Sequence, residues 1–255
     1  MRKWDSSLST KLNMVCTSRL PLIISILIIV CIAAARFPGE MLPRAWLPFV
    51  SRAQYLPPVC PPGVTVLPNS TLYIASGNHP HVVGEVCNNT SNTIWDVTVY
   101  VNFLNSSGGI MSSGSYSTPM THLSPHTRTC FDVGSNSYGG IERAVTYQFE
   151  PATSSVTVYP RPNLTVISSQ STLIMPSLDY DVTGVIRYDG SATIHSVMPV
   201  ITLYNSEAKV VACEYTYTYS STLTAGQSSG FESYIYGRDF SNVVQYSVQV
   251  DGWEY

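Results

Sequence analysis

Charge is what this sequence has least of. Only 11% of its 255 residues are Asp, Glu, Lys or Arg, against roughly 25% in an ordinary soluble domain. The few charges are unevenly placed: residues 1–62 hold seven Lys/Arg and two Asp/Glu, whereas residues 63–255 hold six and fourteen. A body with that acidic excess is a poor match for nucleic acid, so no nucleic-acid partner is expected. P-loop and H-E-x-x-H patterns are also missing, which leaves no recognisable phosphate-loop or zinc-protease motif. Helical periodicity is absent after the N-terminal run, and abundant Tyr, Val, Ser and Thr favour strands in its place.

The one long apolar run is LPLIISILIIVCIAAA, Leu20 to Ala35, set between Arg19 and Arg36. As a helix it reaches about 24 Å, close to the ~30 Å hydrocarbon core once flanking arginines snorkel. Two readings stay open: a signal-anchor retained over residues 20–36, or a signal peptide cleaved near Ala35 after the small-residue triplet. Both place the remainder outside the cytoplasm, in a single-pass or a secreted form, and the basic residues 1–19 inside. Residues 37–63 carry seven prolines and read as an extended linker. Within it Trp46, Phe49 and Tyr55 suit a membrane interface or simply a spacer.

Beyond the linker the chain repeats itself. Gly84–Ser106 aligned without gaps on Gly184–Ser206 gives seven identities in 23: Gly84/Gly184, Ser91/Ser191, Thr93/Thr193, Ile94/Ile194, Val97/Val197, Asn105/Asn205 and Ser106/Ser206. The offset continues through Leu123/Leu223 and Phe131/Phe231. Two copies of one unit are expected, over residues 64–160 and 161–255, with Pro160-Arg161-Pro162 as punctuation.

Within each copy the apolar positions alternate. Val82, Gly84 and Val86 match Val182, Gly184 and Ile186 on one core-facing side. Val97, Val99, Val101 and Phe103 match Val197, Pro199, Ile201 and Leu203 in the next strand. Short strands separated by polar turns predict an all-β fold of two tandem immunoglobulin-like β-sandwiches.

Ile201-Thr202-Leu203-Tyr204-Asn205 resembles the F-x-L-Y-D signature of FxLYD domains, and Val101-Asn102-Phe103-Leu104-Asn105 is its weaker counterpart. The flanking order is similar too: a G-x-V strand, an Asn-rich turn, the signature strand, an L-x-P-G-like loop at Leu123-Ser124-Pro125 or Leu223 to Gln227, then a phenylalanine strand. The resemblance covers about residues 66–255 and implies an immunoglobulin-like sandwich of a prokaryotic cell-surface protein, without established chemistry. Its first Phe is Ile or Val here and its last Asp is Asn.

Candidate sites are sparse. His79-x-His81 and His122-x3-His126 have spacings a metal can use, but the strand pattern separates the two pairs, and surface histidines without a metal are expected. Asp179, Asp181 and Asp189 lack a clustered calcium loop and read as solvated carboxylates. No cofactor is expected. Tyr215, Tyr217 and Tyr219 alternate with threonines and should stand on one strand face, a platform for sugars or protein, or an aromatic edge packed on its own sheet. The N-x-S/T triplets at Asn69, Asn88, Asn89, Asn105 and Asn163 are glycan acceptors only in a eukaryotic secretory pathway.

Cys87 and Cys130 fall on the outer faces of strands that an immunoglobulin-like order makes neighbours. Both are missing together from the second copy, where Arg187 and Gly230 stand. A cross-strand disulfide Cys87–Cys130 is therefore expected, with Cys60 and Cys213 left as a further couple. The function expected is non-enzymatic binding, adhesion or scaffolding at the cell surface. A carbohydrate-binding module using the tyrosine face and a hydrolase of unknown substrate are the alternatives.

Overall fold

The structure is a computed structural model; it describes residues 58–137, 144–157, 159 and 161–254. The apolar run, the basic N-terminus and most of the proline-rich linker lie outside the described residues. Among the described residues no helix is long and apolar enough to cross a membrane.

The first copy supplies β1 (Gly63–Val66), β2 (Thr71–Ala75), β3 (His79–Asn89), β4 (Ile94–Leu104), β5 (Ile110–Ser117), β6 (His122–Leu123), β7 (Thr127–Gly134), β8 (Thr146–Phe149) and β9 (Thr153–Val156). The second supplies β10 (Leu164–Ile174), β11 (Asp179–Tyr188), β12 (Thr193–Asn205), β13 (Val210–Tyr215), β14 (Thr222–Thr224), β15 (Ser228–Ile235) and β16 (Val243–Glu254). All pairing is antiparallel. In the first copy β3 joins β1, β2 and β7 in one sheet, and β4 joins β5, β6, β8 and β9 in another. In the second, β11 lies between β10 and β15, while β12 pairs with β13, β14 and β16.

Each copy closes a core between its two sheets. Val82, Val86, Val97, Val99, Val101, Phe103 and Phe131 form one core, and Val182, Ile186, Val197, Ile201, Leu203 and Phe231 form the other. The residues that repeat in sequence take the same places in space. Gly84 pairs with Phe131 and Gly184 with Phe231. Asn105 and Asn205 use their Oδ1 atoms identically, accepting the N–H of Ser107 and Gly109 or of Glu207 and Lys209 at 2.8–3.0 Å. An Asx turn needs only that oxygen, which Asn and Asp both carry.

The glycines are packing residues. A methyl group on Gly84 would lie 2.7 Å from the Phe131 ring, and one on Gly184 would lie 2.6 Å from Phe231. Replacing Gly184 by Ala is accordingly expected to lower stability by about 1–3 kcal/mol through forced repacking, measurable by urea unfolding. A neutral result would mean that the ring and the still closer Ser168 backbone carbonyl both give way freely.

The outer faces behave differently from the sequence expectation. Val83, Glu85, Cys87 and Cys130 point away from the first core as the alternation requires, yet all four are buried. The second copy covers much of this face. Val83 packs with Tyr204 and Val210, and Cys130 packs with Val200 and Met120. Both copies lie in one compact unit, Phe49–Tyr255.

The cysteine pairing is accordingly not the expected one. Cys87 stands opposite Arg128 and Cys130 opposite Glu85, so Cys87 and Cys130 are diagonal neighbours two positions out of register. Such pairs are about 7–8 Å apart, beyond the roughly 4.4–6.8 Å Cα spacing of a disulfide. Cys87 bonds instead to Cys60 of the linker, and Cys130 to Cys213 of the second copy, with Cα separations of 5.9 and 5.6 Å. The shared face was legible from alternation; the register and the covering partner were not.

Candidate binding cleft

Where the two copies meet, β5 and the β13 edge leave an open cleft of about 500 Å³. Its aromatic wall is Tyr116, Tyr215 and Tyr217, its hydroxyl wall is Thr98, Ser115, Ser117 and Thr118, and Met198 and Pro119 complete it. The side chains of Tyr215 and Tyr217 meet edge to face, with centroids 6.3 Å apart. All three tyrosines are exposed.

The expected row of three tyrosines is broken by the chain path. β13 ends at Tyr215, after which the N–H groups of Thr216 and Thr218 still bond to Pro199 and Val197 of β12. Tyr219 then donates its N–H to Gly230 of β15, in the opposite sheet. Its hydroxyl reaches Glu232 at 3.4 Å. Two tyrosines therefore face the cleft and the third lies on the outside of the other sheet. Tyr116, their partner from the first copy, stands alone in a serine-rich strand and gives no alternation signal.

The charged groups stand beside the cleft. Burial pushes the Tyr116 phenol up, and so do its contacts with Tyr215 and the nearby carboxylates of Glu214 and Asp132. Burial also raises Glu214, against the Tyr215 N–H, with Asp132 adding and Arg238 opposing. Asp132 in turn accepts the Tyr73 hydroxyl at 2.6 Å and lies 2.8 Å from His81. Tyr73 is held neutral far above the ordinary phenol range, chiefly by burial and then by Asp132. The Arg238 guanidinium lies over its ring at 3.5 Å.

Other sequence candidates have structural partners. His122 is buried, contrary to expectation, and its ring meets Trp95 and Trp253 at 4.6 and 5.6 Å in a three-ring cluster in which the two tryptophans also touch, at 4.8 Å. His126 contacts Asn89 at 2.9 Å, and His195 contacts Thr222 at 3.1 Å. Asp179 accepts from Tyr234, and Asp189 from Arg187 and Thr165, which holds both below the usual carboxylate range. Burial and the neighbouring Glu232 raise Asp181. Among the described residues no group of three His, Cys, Asp or Glu side chains is gathered as a metal site.

Two of the five N-x-S/T asparagines are inaccessible in the fold. Asn69 is buried with its amide on Glu85 at 2.7 Å. Asn88 is buried with its amide on the carbonyls of Asn92 and Leu123 at 2.8 Å.

No family model matches the chain, and no curated protein matches it. Among solved structures it is similar to red sea bream transglutaminase, at 8% identity and a TM-score of 0.23, covering 73% of this chain and 29% of that one. It is also similar to the N-terminal CBM22-1-CBM22-2 tandem domain of Paenibacillus barcinonensis Xyn10C, at 10% identity and a TM-score of 0.16, covering 76% and 86%. Likeness this loose carries no argument about function. The two disulfides fit an oxidising, extracytoplasmic compartment.

Proposed function

We propose that this is a non-enzymatic binding protein of the cell exterior, built from two tandem immunoglobulin-like, FxLYD-like sandwiches, and that its cleft takes a neutral polyhydroxylated ligand of the carbohydrate class. The observation that carries the reading is the lining of the cleft. Tyrosine rings offer apolar faces on which a sugar ring can stack, and their polar edges together with four Ser/Thr residues supply hydrogen-bonding groups. Among the described residues no carboxylate, guanidinium or ammonium group lines it, which disfavours an ionic ligand. Retention at the membrane through residues 20–36, or release after cleavage near Ala35, is part of the same proposal.

The test is a neutral-glycan array and calorimetry with the full chain and its Tyr217→Ala variant. Binding is expected for the parent and about tenfold weaker for the variant, since one exposed stacking ring is worth on the order of 1 kcal/mol. Absence of any glycan binding by the parent removes the ligand class and leaves adhesion or scaffolding. Turnover of a glycan, ester or peptide substrate would overturn the non-enzymatic reading itself.

A further inference from the structure

Strand β15 alternates in and out. Phe231, Ser233 and Ile235 turn inward and are buried, so Gly230, Glu232 and Tyr234 face outward, and Tyr236 follows in the same phase. On that outer face Tyr219 lies over Gly230, where an added methyl group would come within 3.0 Å of its ring. Tyr234 and Tyr236 stack, with centroids 5.9 Å apart and planes at 24°. From Gly230 to Tyr236 the tyrosines form a stripe about 20 Å long at the rise of a strand. Tyr219 and Tyr236 are each 72% exposed and Tyr234 is 49% exposed.

Carboxylates run through and beside the stripe. Glu232 stands within it, Asp181 of β11 is opposite Tyr234, and Asp179 accepts the Tyr234 hydroxyl at 2.6 Å. The second copy does not neutralise them. Residues 161–255 hold nine Asp/Glu and four Lys/Arg, and all four cations are drawn elsewhere. Arg161 donates to the Val250 carbonyl, Arg187 pairs with Asp189, Lys209 donates to the Pro68 carbonyl and Arg238 lies over the Tyr73 ring. Oδ1 of Asp181 is buried without a hydrogen-bond partner among the described residues, and burial together with Glu232 raises its pKa. The face therefore carries exposed aromatic area and an excess of negative charge together.

We propose that this outer face docks an extended peptide segment of a partner protein, one that bears arginine at every second position. A tyrosine face attracts a cation through its ring quadrupole. The planar guanidinium both stacks on such rings and pairs with carboxylates, which an ammonium group does less well. Alternate residues of an extended peptide lie about 6.6 Å apart, close to the 5.9 Å between the Tyr234 and Tyr236 rings. A single exposed cation–aromatic contact is weak, so a useful ligand must engage several along the stripe at once. That requirement favours a peptide over a free monovalent cation. The stripe belongs to the β10–β11–β15 sheet and Tyr215 to the other sheet of the same copy, so this partner is independent of the ligand proposed for the cleft.

The test is fluorescence anisotropy of a dye-labelled synthetic peptide, arginine alternating with serine, titrated with the full chain at low and at physiological salt. Saturable binding is expected, weakening as salt screens the carboxylates. Tyr236→Ala should weaken it about twofold to fivefold, through loss of one exposed cation–aromatic contact. Glu232→Gln should weaken it and flatten its salt dependence. Both positions are exposed, so the fold should be retained, which circular dichroism checks. Tyr159→Ala, at an exposed tyrosine in the segment joining the copies, should bind like the parent. Absence of binding at low salt overturns the proposal, as does binding unchanged in the double variant Tyr236→Ala with Glu232→Gln. Spermine binding as tightly as the peptide overturns the peptide as occupant. A concentration-dependent dimer of the parent, lost in Tyr236→Ala, would assign the face to a second copy and overturn it equally.

Discussion

Removing the Cys130–Cys213 disulfide, by the double substitution Cys130→Ala and Cys213→Ala, is expected to lower the unfolding free energy by about 4.5 kcal/mol in the chain-entropy account. The two cysteines are 83 residues apart, and a bridge across so long a loop removes many unfolded conformations. The loss compares with the whole stability of a marginal domain, about 5–15 kcal/mol. Urea unfolding of the double variant beside the parent measures it. The bridge also joins the first copy to the second, so its loss should let the copies unfold in separate steps. A deficit below about 1 kcal/mol, with one transition retained, would show that the buried contact alone holds them together.

Substitution of Asp251 by Ala should cost a comparable amount, about 3–5 kcal/mol, because it strips the partners of a buried carboxylate. Asp251 of β16 is 1% exposed. It accepts the backbone N–H groups of Thr121, His122 and Gly252 at 2.8–2.9 Å. The Thr121 hydroxyl lies at 3.0 Å and Nδ1 of His122 at 3.1 Å. Burial alone would raise its pKa, but the bonds from His122 and Gly252 and the His122 charge outweigh it, leaving the carboxyl below its ordinary range.

The sign for pH follows. A carboxyl with a depressed folded pKa contributes stability that is fully present above the unfolded value, about 3.9, and lost as pH falls through the lower folded one. Asp251→Asn should therefore be less stable at neutral pH and show a flatter acid limb below about pH 4. An acid limb identical to the parent's would remove Asp251 as its source.

These two positions also mark what the sequence could and could not reveal. The offset of 100 residues was visible in Gly84/Gly184, Asn105/Asn205 and Phe131/Phe231 because each of them acts locally, by receiving a ring, closing a turn or filling a core. Alternation likewise separated Val82 from Val83. It could not say that Val83 and Glu85 are covered, because burial by another copy leaves no period in the strand itself. Glu85 is the clearest case. Its carboxylate accepts from Asn69 at 2.7 Å and Tyr204 at 2.8 Å, with Arg128 at 3.6 Å, and those three partners are scattered through the chain. The cleft was half legible for a similar reason. Tyr215 and Tyr217 alternate, whereas Tyr116 joins them only through the docking of β5 against the second copy, and Tyr219 is carried away by the crossing between sheets.

The Cys60–Cys87 bond has a mechanical meaning. Strand β1 pairs with β3 over only four positions, Gly63 to Val66, and a short ladder of that kind would peel under tension. Tension arriving from the N-terminal side reaches Cys60 first and passes covalently into Cys87, at the far end of β3. The chain from Pro61 to Val86, with β1 and β2 inside it, is bypassed by the load. A body tethered by residues before Cys60 would thus take the load at Cys87, near the C-terminal end of its central strand, and the sheet edge would feel no force.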